Sequence, residues 1–212
     1  MFDNFDHVIF DLDGTLVDSA GALKTILDAF RQNRNLQPWP IELYREVSSA
    51  GGEDLIRKAL KLTDDENHLT YLDAFRETYA KDPLINSNLY PYVKDVLCAL
   101  KNNGVSISLC TNKPENLMTM ILEKTNLNIF FDHSISASSI GFKKPNPTSV
   151  QFLIERTGVD SSKTVFIGDS EIDRETAKAA GVEFWAFQSG YDLKLEATFD
   201  GFCFDSYREL LL

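Results

Sequence analysis

Apolar and polar residues follow two patterns along the chain, one typical of strands and one typical of helices. The run from His7 to Leu12, HVIFDL, is apolar and ends at an Asp-Gly pair, which indicates a short buried strand. Behind it, apolar residues recur between Leu23 and Phe30 with the spacing of one buried helix face. A helix is therefore expected over about residues 19–34.

Helical patterns continue beyond this point, and no strand is predicted between residues 19 and 85. Pro38 and Pro40 end the first helix, because proline removes a backbone donor and obstructs the preceding turn. One further amphipathic stretch runs from Leu55 to Leu60 and another from Leu72 to Tyr79.

From about residue 90 the pattern becomes an alternation of amphipathic stretches with apolar strands. The strand candidates are SISLCTN, SISAS, TVFIGD and EFWAF, of which SISAS is the weakest. This alternation predicts an α/β fold, a Rossmann-like parallel sheet with helices on both faces.

The helical stretch is long enough to be a separate insertion. Far more residues separate Asp13 from Thr111 than one crossover helix requires, and the extra length is all helical. We therefore expect an all-helical cap, residues 17–87, inserted into an α/β catalytic core formed by residues 1–16 and 88–212. The hinges would lie near residues 17–19 and 84–89.

Composition and charge exclude several classes of function. Hydrophobic residues make up 43% and charged residues 25% of the 212 positions, which are globular values. A net charge of −11 without a basic patch disfavours binding to nucleic acid or to anionic membranes. No apolar run reaches the roughly 18 residues of a membrane span, and the acidic start lacks the order of a signal peptide. A cytoplasmic protein is expected, as a monomer or homodimer.

The three cysteines do not indicate a disulfide framework or a zinc site. Cys98, Cys110 and Cys203 are an odd number and have no C-x-x-C spacing. Their apolar neighbours predict plain core thiols.

Polar side chains collect at the predicted strand ends, where open α/β sheets bind ligands. The first strand ends in Asp11 and Asp13, the second ends in Thr111, and TVFIG is followed by Asp169. Asp173 comes one helical turn after Asp169, and Lys144 precedes Pro145 ahead of another helix.

Converging carboxylates repel one another unless a cation neutralises them, and oxygen ligands select a hard ion such as Mg²⁺. A lysine and a threonine hydroxyl then suit an anion such as phosphate, which backbone N–H groups around Gly14 and Asn112 could also bind. A carboxylate in line with phosphorus can act as a nucleophile, and a second carboxyl two residues away as a general acid/base. The D-x-D pair of Asp11 and Asp13 offers both groups.

Four segments in order resemble the motifs of the haloacid dehalogenase superfamily, whose members are mostly Mg²⁺-dependent phosphatases. They are FDLDGTLVDS, CTNKP, KKPNP, and GDSEID followed by AKAAG, and the resemblance covers essentially the whole chain. TNKP and the sequence from LYPYV onward look most like the phosphoglycolate phosphatase group, which hydrolyses small phosphate monoesters.

The resemblance implies catalytic and metal-binding roles. It implies Asp11 as the nucleophile and Asp13 as the general acid/base. The implied Mg²⁺ ligands are the Asp11 carboxylate, the Asp13 backbone carbonyl and the Asp169 carboxylate. Asp173 would orient a water on the metal from the second shell.

Phosphate-binding residues follow from the same resemblance. Thr111 and Lys144 would hold the transferring phosphoryl group, and Lys144 would also balance the charge of Asp11. Lys113 is a further candidate, with an ordinary surface position as the alternative.

The cap should govern the choice of substrate. The stretch from Ala50 to Leu55 opens a helix whose N–H groups could meet an anion. Glu53 and Asp54 depart from the family pattern here, either disfavouring a doubly charged substrate or acting only as first-turn residues. Arg57 is a candidate substrate contact, and the stretch from Ser189 to Asp192 is a loose match to the family's Gly-Tyr-Gly loop.

These observations lead to a Mg²⁺-dependent phosphomonoesterase that hydrolyses a small phosphorylated metabolite, 2-phosphoglycolate-like, through an aspartyl-phosphate. One alternative is phosphoryl transfer like that of the β-phosphoglucomutases. Another is a catalytically silent module that binds phosphorylated metabolites. Dehalogenation is disfavoured because that chemistry has no role for Asp13.

Overall fold

The computed structural model describes residues 1–48, 52–192, 195 and 200–211. The chain divides into two compact units. Met1–Val17 and Leu89–Leu212 form the first, which we call the α/β unit, and Asp18–Asn88 form the second, which we call the helical unit.

Strands occur at eight places in the described residues: β1 (His7–Phe10), β2 (Val17–Asp18), β3 (Asn88–Leu89), β4 (Ser106–Thr111), β5 (His133–Ser136), β6 (Thr164–Gly168), β7 (Glu183–Phe187) and β8 (Cys203–Phe204). Six of them form one sheet in the order β5-β4-β1-β6-β7-β8, with every neighbouring pair parallel. The strands β2 and β3 form a separate two-stranded sheet. The four strand segments expected after residue 90 all form, whereas β8 and the two-residue strands β2 and β3 were not predicted.

Nine α-helices occur in the described residues: α1 (Ala20–Asn33), α2 (Ile41–Ser48), α3 (Gly52–Leu60), α4 (His68–Lys81), α5 (Val93–Asn102), α6 (Glu115–Thr125), α7 (Ala137–Ile140), α8 (Thr148–Thr157) and α9 (Glu171–Ala180). The first four belong to the helical unit and the other five surround the sheet of the α/β unit. Among the described residues no strand lies between positions 19 and 85, as the sequence pattern predicted. The predicted α/β class, a parallel sheet with helices around it, is confirmed.

The centre of the sheet is fully buried, as expected for parallel strands covered on both faces. Every residue of β1 and β6 is buried, and Ile9 and Phe166 are completely inaccessible. They pack in one apolar cluster with Leu153 of α8 and Ala177 of α9. A rigid core of this kind holds the strand ends at fixed positions.

The strand register brings three strand ends level. Phe10, the last residue of β1, pairs with Leu109 of β4 on one side and with Ile167 of β6 on the other. Because the strands are parallel, the residues that follow these positions emerge at the same edge of the sheet.

The cysteine prediction is correct for Cys110, wrong for Cys98 and correct in part for Cys203, which packs against the core cluster. Cys110 is buried in β4, Cys98 is exposed and Cys203 is partly exposed. In α5 the buried face carries Val93, Val96, Leu97 and Leu100, and position 98 falls on the opposite face of the helix.

No helix in the described part of the chain is long and apolar enough to cross a membrane.

Candidate active site

Carboxylates from two strand ends and one helix meet at the edge of the sheet. Asp11 directly follows β1, Asp169 directly follows β6, and Asp173 lies in the first turn of α9. One oxygen of each lies within 4.8 Å of one oxygen of the others, and all three side chains are buried. The structure thus brings together carboxylates that the sequence assigned to a common site.

Lys144 binds two of these carboxylates at once. Its Nζ lies 2.6 Å from Asp11 Oδ1 and 2.5 Å from Asp173 Oδ1, and only 4% of the side chain is exposed. The side chain of Asn112 fixes the main chain of this lysine, since it donates to the Lys144 carbonyl at 3.1 Å and accepts from the Lys144 N–H at 2.7 Å. Backbone N–H groups around Asn112 were expected to suit phosphate, and the structure gives the Asn112 side chain a further task, the positioning of Lys144.

Asp169 is held on both oxygens by its own unit. Thr15 Oγ1 donates to Asp169 Oδ1 at 2.8 Å, and the N–H of Tyr191 donates to Asp169 Oδ2 at 2.7 Å. Gly14 approaches so closely that a Cβ there would lie 2.2 Å from Asp169 Oδ2. Its φ of +82° also favours glycine, so this backbone cannot accept another residue without displacing the carboxylate.

Asp173 has two functions in the fold. It forms a capping box with Ser170 at the start of α9, in which Ser170 Oγ donates to Asp173 Oδ2 at 2.6 Å. Its other oxygen binds Lys144. One side chain therefore caps α9 and contacts the lysine of the cluster.

Burial and mutual repulsion shift the pKa values of this cluster. Burial raises the pKa of Asp11 and of Asp169 above the ordinary aspartate value, and the neighbouring carboxylates raise both further. Burial alone would lower the pKa of Lys144, but the charges of Asp11 and Asp173 outweigh it and raise that pKa. Lys144 therefore stays charged and neutralises part of the cluster.

The cluster fits a hard divalent cation. Its donors are carboxylate oxygens, which Mg²⁺ prefers, and the cluster holds three carboxylates, two of which contact the ammonium group of Lys144. A divalent cation would supply the missing positive charge. Asp11 and Asp169 were expected among its ligands, whereas Asp173, expected only in the second shell, offers an oxygen to the same cluster.

Asp13 lies in a different environment from Asp11. Lys113 Nζ contacts both of its oxygens, at 2.9 and 3.0 Å, and 22% of the Asp13 side chain is exposed. The two aspartates of D-x-D are therefore paired with different lysines, one pair sealed and one partly open. Thr111 is buried nearby and accepts the N–H of Lys113 at 3.1 Å.

Two of the charged residues considered in the helical unit, Glu53 and Arg57, bind each other. Glu53 and Asp54 lie in the first turn of α3, and residues 50 and 51 lie outside the described residues. Arg57 contacts Glu53 at 3.2 Å and His68 Nδ1 at 2.7 Å, and His68 Nε2 lies 3.0 Å from Glu53. The guanidinium of Arg57 is thus engaged within its own unit.

Sequence reasoning overlooked the residues that orient the carboxylates. Thr15 and Ser170 hold Asp169 and Asp173, and the loop at Tyr191 supplies a main-chain donor. Thr15 could have been found from its place directly after D-x-D-G, and Ser170 from the S-x-x-D pattern of a capping box. The stretch from Ser189 to Asp192 was noted as a loose match to a family loop, but the hydrogen bond of the Tyr191 N–H could not be predicted, because a main-chain donor is independent of residue type.

Comparison with known proteins agrees with this geometry. Residues 8–187 match the family model of the haloacid dehalogenase-like hydrolases. A phosphoglycolate phosphatase of Pseudomonas fluorescens (strain Pf0-1) is 34% identical over 191 residues, which cover 87% of this chain and 70% of that protein. The phosphoglycolate phosphatase of Aquifex aeolicus is 32% identical over 176 residues, 83% of this chain and 81% of that protein.

A solved structure extends the similarity to three dimensions. A crystal structure of a predicted phosphoglycolate phosphatase from Haemophilus somnus superposes with a TM-score of 0.87 at 28% identity, over 98% of this chain and 97% of that chain. Three observations point to the same family: the buried carboxylates with their lysine, the match to the family model and the similarity to these relatives. The chain belongs to the haloacid dehalogenase-like hydrolase family, and it is a phosphoric monoester hydrolase of the phosphoglycolate phosphatase-like type.

Proposed function

We propose that the chain is a Mg²⁺-dependent phosphatase that hydrolyses a small phosphate monoester, with 2-phosphoglycolate as the first candidate, through an aspartyl-phosphate on Asp11. The observation that carries the proposal is the bridge of Lys144 between Asp11 and Asp173, in a buried cluster that Asp169 completes. The names of the similar phosphatases support the choice of substrate.

In this proposal Asp11 and Asp169 would hold Mg²⁺ together with the main-chain carbonyl of Asp13. The bound ion would neutralise the clustered carboxylates and offset the charge of the transferred phosphoryl group. Asp173 holds Lys144 in place, and Lys144 cancels charge on Asp11 so that an anionic phosphate can approach it. Thr111 and the N–H groups near Gly14 and Asn112 are the proposed phosphate donors.

The first chemical step transfers the phosphoryl group to the enzyme. An oxygen of Asp11 forms a bond to phosphorus while the ester P–O bond breaks. Asp13 gives its proton to the departing oxygen, which leaves as an alcohol. Lys113, 2.9 Å from Asp13, then faces the carboxylate that this transfer leaves behind.

The second step releases phosphate. Asp13 takes a proton from a water whose oxygen bonds to phosphorus, and the bond between phosphorus and Asp11 breaks. Inorganic phosphate leaves, Asp11 is again a carboxylate and Asp13 is again protonated, so the cycle closes. Two carboxyl groups with these opposite tasks need different environments, and in support of the proposal 22% of the Asp13 side chain is exposed whereas Asp11 is largely buried.

The test is phosphate release from a panel of small monoesters that includes 2-phosphoglycolate, with Mg²⁺ and with EDTA. We expect release that requires the metal ion, and its loss in Asp11→Asn. The exposed Asp160→Asn substitution in the same unit is the matched control and should retain activity.

Four results would contradict the proposal. Release that is unaffected by EDTA would exclude the proposed role of the metal ion. An active Asp11→Asn variant would exclude Asp11 as the nucleophile. Phosphate esters that bind without any release would indicate a binding module, while isomerisation of a hexose phosphate would indicate a mutase.

A further inference from the structure

Tyr207, close to the C-terminus, contacts the loop that follows the nucleophile. It begins the 3-10 helix Tyr207–Leu211 and is 1% exposed. Its hydroxyl donates a hydrogen bond to the main-chain carbonyl of Thr15 at 3.1 Å, across 192 positions of sequence. Burial raises the pKa of Tyr207 well above its usual value, so the hydroxyl keeps the proton that it donates.

Thr15 carries this contact to Asp169. The threonine is completely buried, its carbonyl accepts from Tyr207, and its hydroxyl donates to Asp169 Oδ1 at 2.8 Å. One residue therefore connects the C-terminal helix to a carboxylate of the cluster, and the position of the Thr15 main chain decides where its hydroxyl lies.

The same C-terminal segment also supports the other partner of Asp169. The ring of Tyr207 packs 5.1 Å from the ring of Phe187, the last residue of β7, from which the chain continues to Tyr191. Ser189 in this loop donates to the carbonyl of Asp205 at 2.9 Å. Both hydrogen bonds to Asp169 thus originate on segments that residues 203–211 contact.

We infer that Tyr207 is a positioning residue of the active site, which holds the Asp169 carboxylate through Thr15 in the orientation that binds the divalent cation. The inference rests on the proposed function, because it takes Asp169 as a ligand of Mg²⁺. Tyr207 touches neither substrate nor metal in this role. Its hydroxyl acts through geometry alone, so Tyr207→Phe removes the function and keeps the ring in place.

The decisive measurement is the dissociation constant of Mg²⁺ from the full-length protein by isothermal titration calorimetry. Tyr207→Phe removes one neutral hydrogen bond, and the loss reaches the metal site through Thr15. We therefore expect the dissociation constant of Mg²⁺ to increase about three- to tenfold in this variant. At saturating Mg²⁺ the KM for the phosphate ester should stay at the wild-type value, because phosphate is held by other residues.

Tyr44→Phe is the matched control. Tyr44 is also completely buried, and its hydroxyl donates to Asp28 at 2.5 Å within the helical unit. This variant loses a buried tyrosine hydrogen bond to a charged acceptor, so its melting temperature should fall at least as far as in Tyr207→Phe while its affinity for Mg²⁺ stays unchanged.

Thr15 provides an independent check of the route. Thr15→Val keeps the carbonyl that Tyr207 contacts but removes the hydroxyl, and should weaken Mg²⁺ binding. Thr15→Ser keeps both groups and should restore it. If Tyr207 acts through the Thr15 hydroxyl, the two substitutions remove the same contribution to Mg²⁺ binding. The dissociation constant of the double variant, Tyr207→Phe with Thr15→Val, should then increase by less than the product of the two single increases.

The inference is overturned if Tyr207→Phe binds Mg²⁺ as the wild type does, or if Tyr44→Phe weakens binding equally. A Tyr207→Phe protein that fails to fold would show a structural role and would also overturn it. A wild-type protein that neither binds Mg²⁺ nor releases phosphate would instead overturn the proposed function.

Discussion

The ammonium group of Lys113 contacts both carboxylate oxygens of Asp13, at 2.9 and 3.0 Å. Lys113 is 9% exposed and its main-chain N–H is held by Thr111, so the lysine is fixed at both ends. A contact to both oxygens limits rotation of the Asp13 carboxyl group. Lys113 was expected either at the site or at an ordinary surface position, and the structure places it against the proposed general acid/base.

Lys113→Met should lower kcat. The substitution keeps a side chain of similar length but releases the Asp13 carboxyl, and misplacement of a reacting group by about 1 Å can cost about a hundredfold in rate. We expect a decrease of about ten- to a hundredfold in kcat for phosphate release, measured at saturating Mg²⁺ and substrate.

Lys101→Met is the control for the change in charge. Lys101 forms an ion pair with Asp132 on the surface of the same unit, and both side chains are about one-third exposed. Equal losses in the two variants would show that net charge, rather than the position of Asp13, accounts for the effect.

Asp169→Asn should stabilise the protein without metal and abolish its response to Mg²⁺. The amide can accept from the Tyr191 N–H and donate to Thr15 Oγ1, so both contacts persist while one repelling charge disappears. Each kcal/mol of repulsion removed corresponds to a rise of about 2–4 °C in melting temperature. Thermal unfolding with EDTA and with Mg²⁺ measures both effects.

Glu175→Gln removes one exposed carboxylate nearby on α9 and controls for this experiment. It should leave the metal-free melting temperature and the Mg²⁺-dependent rise unchanged. If Asp169→Asn lowers the metal-free melting temperature, repulsion among the carboxylates does not destabilise the metal-free protein. If the variant keeps the full rise in melting temperature with Mg²⁺, Asp169 does not bind the ion.

Much of the fold could be predicted because each central strand is a short apolar run bounded by turn residues. HVIFDL and TVFIGD are recognisable since parallel strands buried on both faces are apolar throughout. Strand β8, only Cys203–Phe204, is too short to produce a pattern. Its pairing with β7 depends on tertiary contacts, which a local pattern does not record.

The candidate site divides in the same way. Asp11 and Asp169 could be identified because they directly follow recognisable strands whose ends must share an edge. The pattern of residues does not indicate which lysine pairs with which aspartate, because Lys113 and Asp13 are 100 positions apart and Lys144 and Asp11 are 133 apart. The pairing of Lys144 with Asp11 was expected only from the family resemblance. The clamp of Asn112 on Lys144 likewise depends on how two loops meet.

Gly14→Ala should greatly reduce activity. An added Cβ would lie 2.2 Å from Asp169 Oδ2. Because this distance is a severe steric overlap, the carboxylate or the loop must move. Removal of a metal ligand from its position should lower kcat/KM by a hundredfold or more, on the order of what a 1 Å displacement costs. Phosphate release at several Mg²⁺ concentrations tests this.

Gly104→Ala separates the steric effect from backbone strain. Gly104 has a φ of +74°, close to that of Gly14, but an added Cβ there would meet no atom within 4 Å. Both substitutions carry the strain of a left-handed backbone, about 1–2 kcal/mol. Only Gly14→Ala should affect catalysis, and a similar loss of activity in Gly104→Ala would assign the effect to strain.

His7 gives the fold a dependence on pH that is separate from the active site. The side chain is completely buried in β1, with Nε2 2.8 Å from Ser108 Oγ and Nδ1 3.4 Å from Thr164 Oγ1. Burial, the largest cause, and the nearby His133 together lower its pKa from 6.5 to about 4, although Asp132 opposes the shift. The folded protein therefore keeps His7 neutral at pH values where the unfolded chain is protonated.

This difference predicts a loss of stability as the pH falls through the interval from about 6.5 to about 4. Below pH 6.5 the unfolded state binds a proton that folded His7 does not, so the free energy of unfolding decreases; above pH 6.5 the two states agree and the full stability is present. Between pH 7.5 and pH 5 the contribution of His7 to the decrease amounts to about 2 kcal/mol.

Urea unfolding at both pH values, with saturating Mg²⁺ to keep the active-site carboxylates constant, measures this decrease in the free energy of unfolding. The decrease should be smaller by this amount in His7→Gln. The aspartates with lowered pKa values, such as Asp28, lose their contribution only at lower pH, so the same decrease in both proteins would mean that His7 is not the group that titrates.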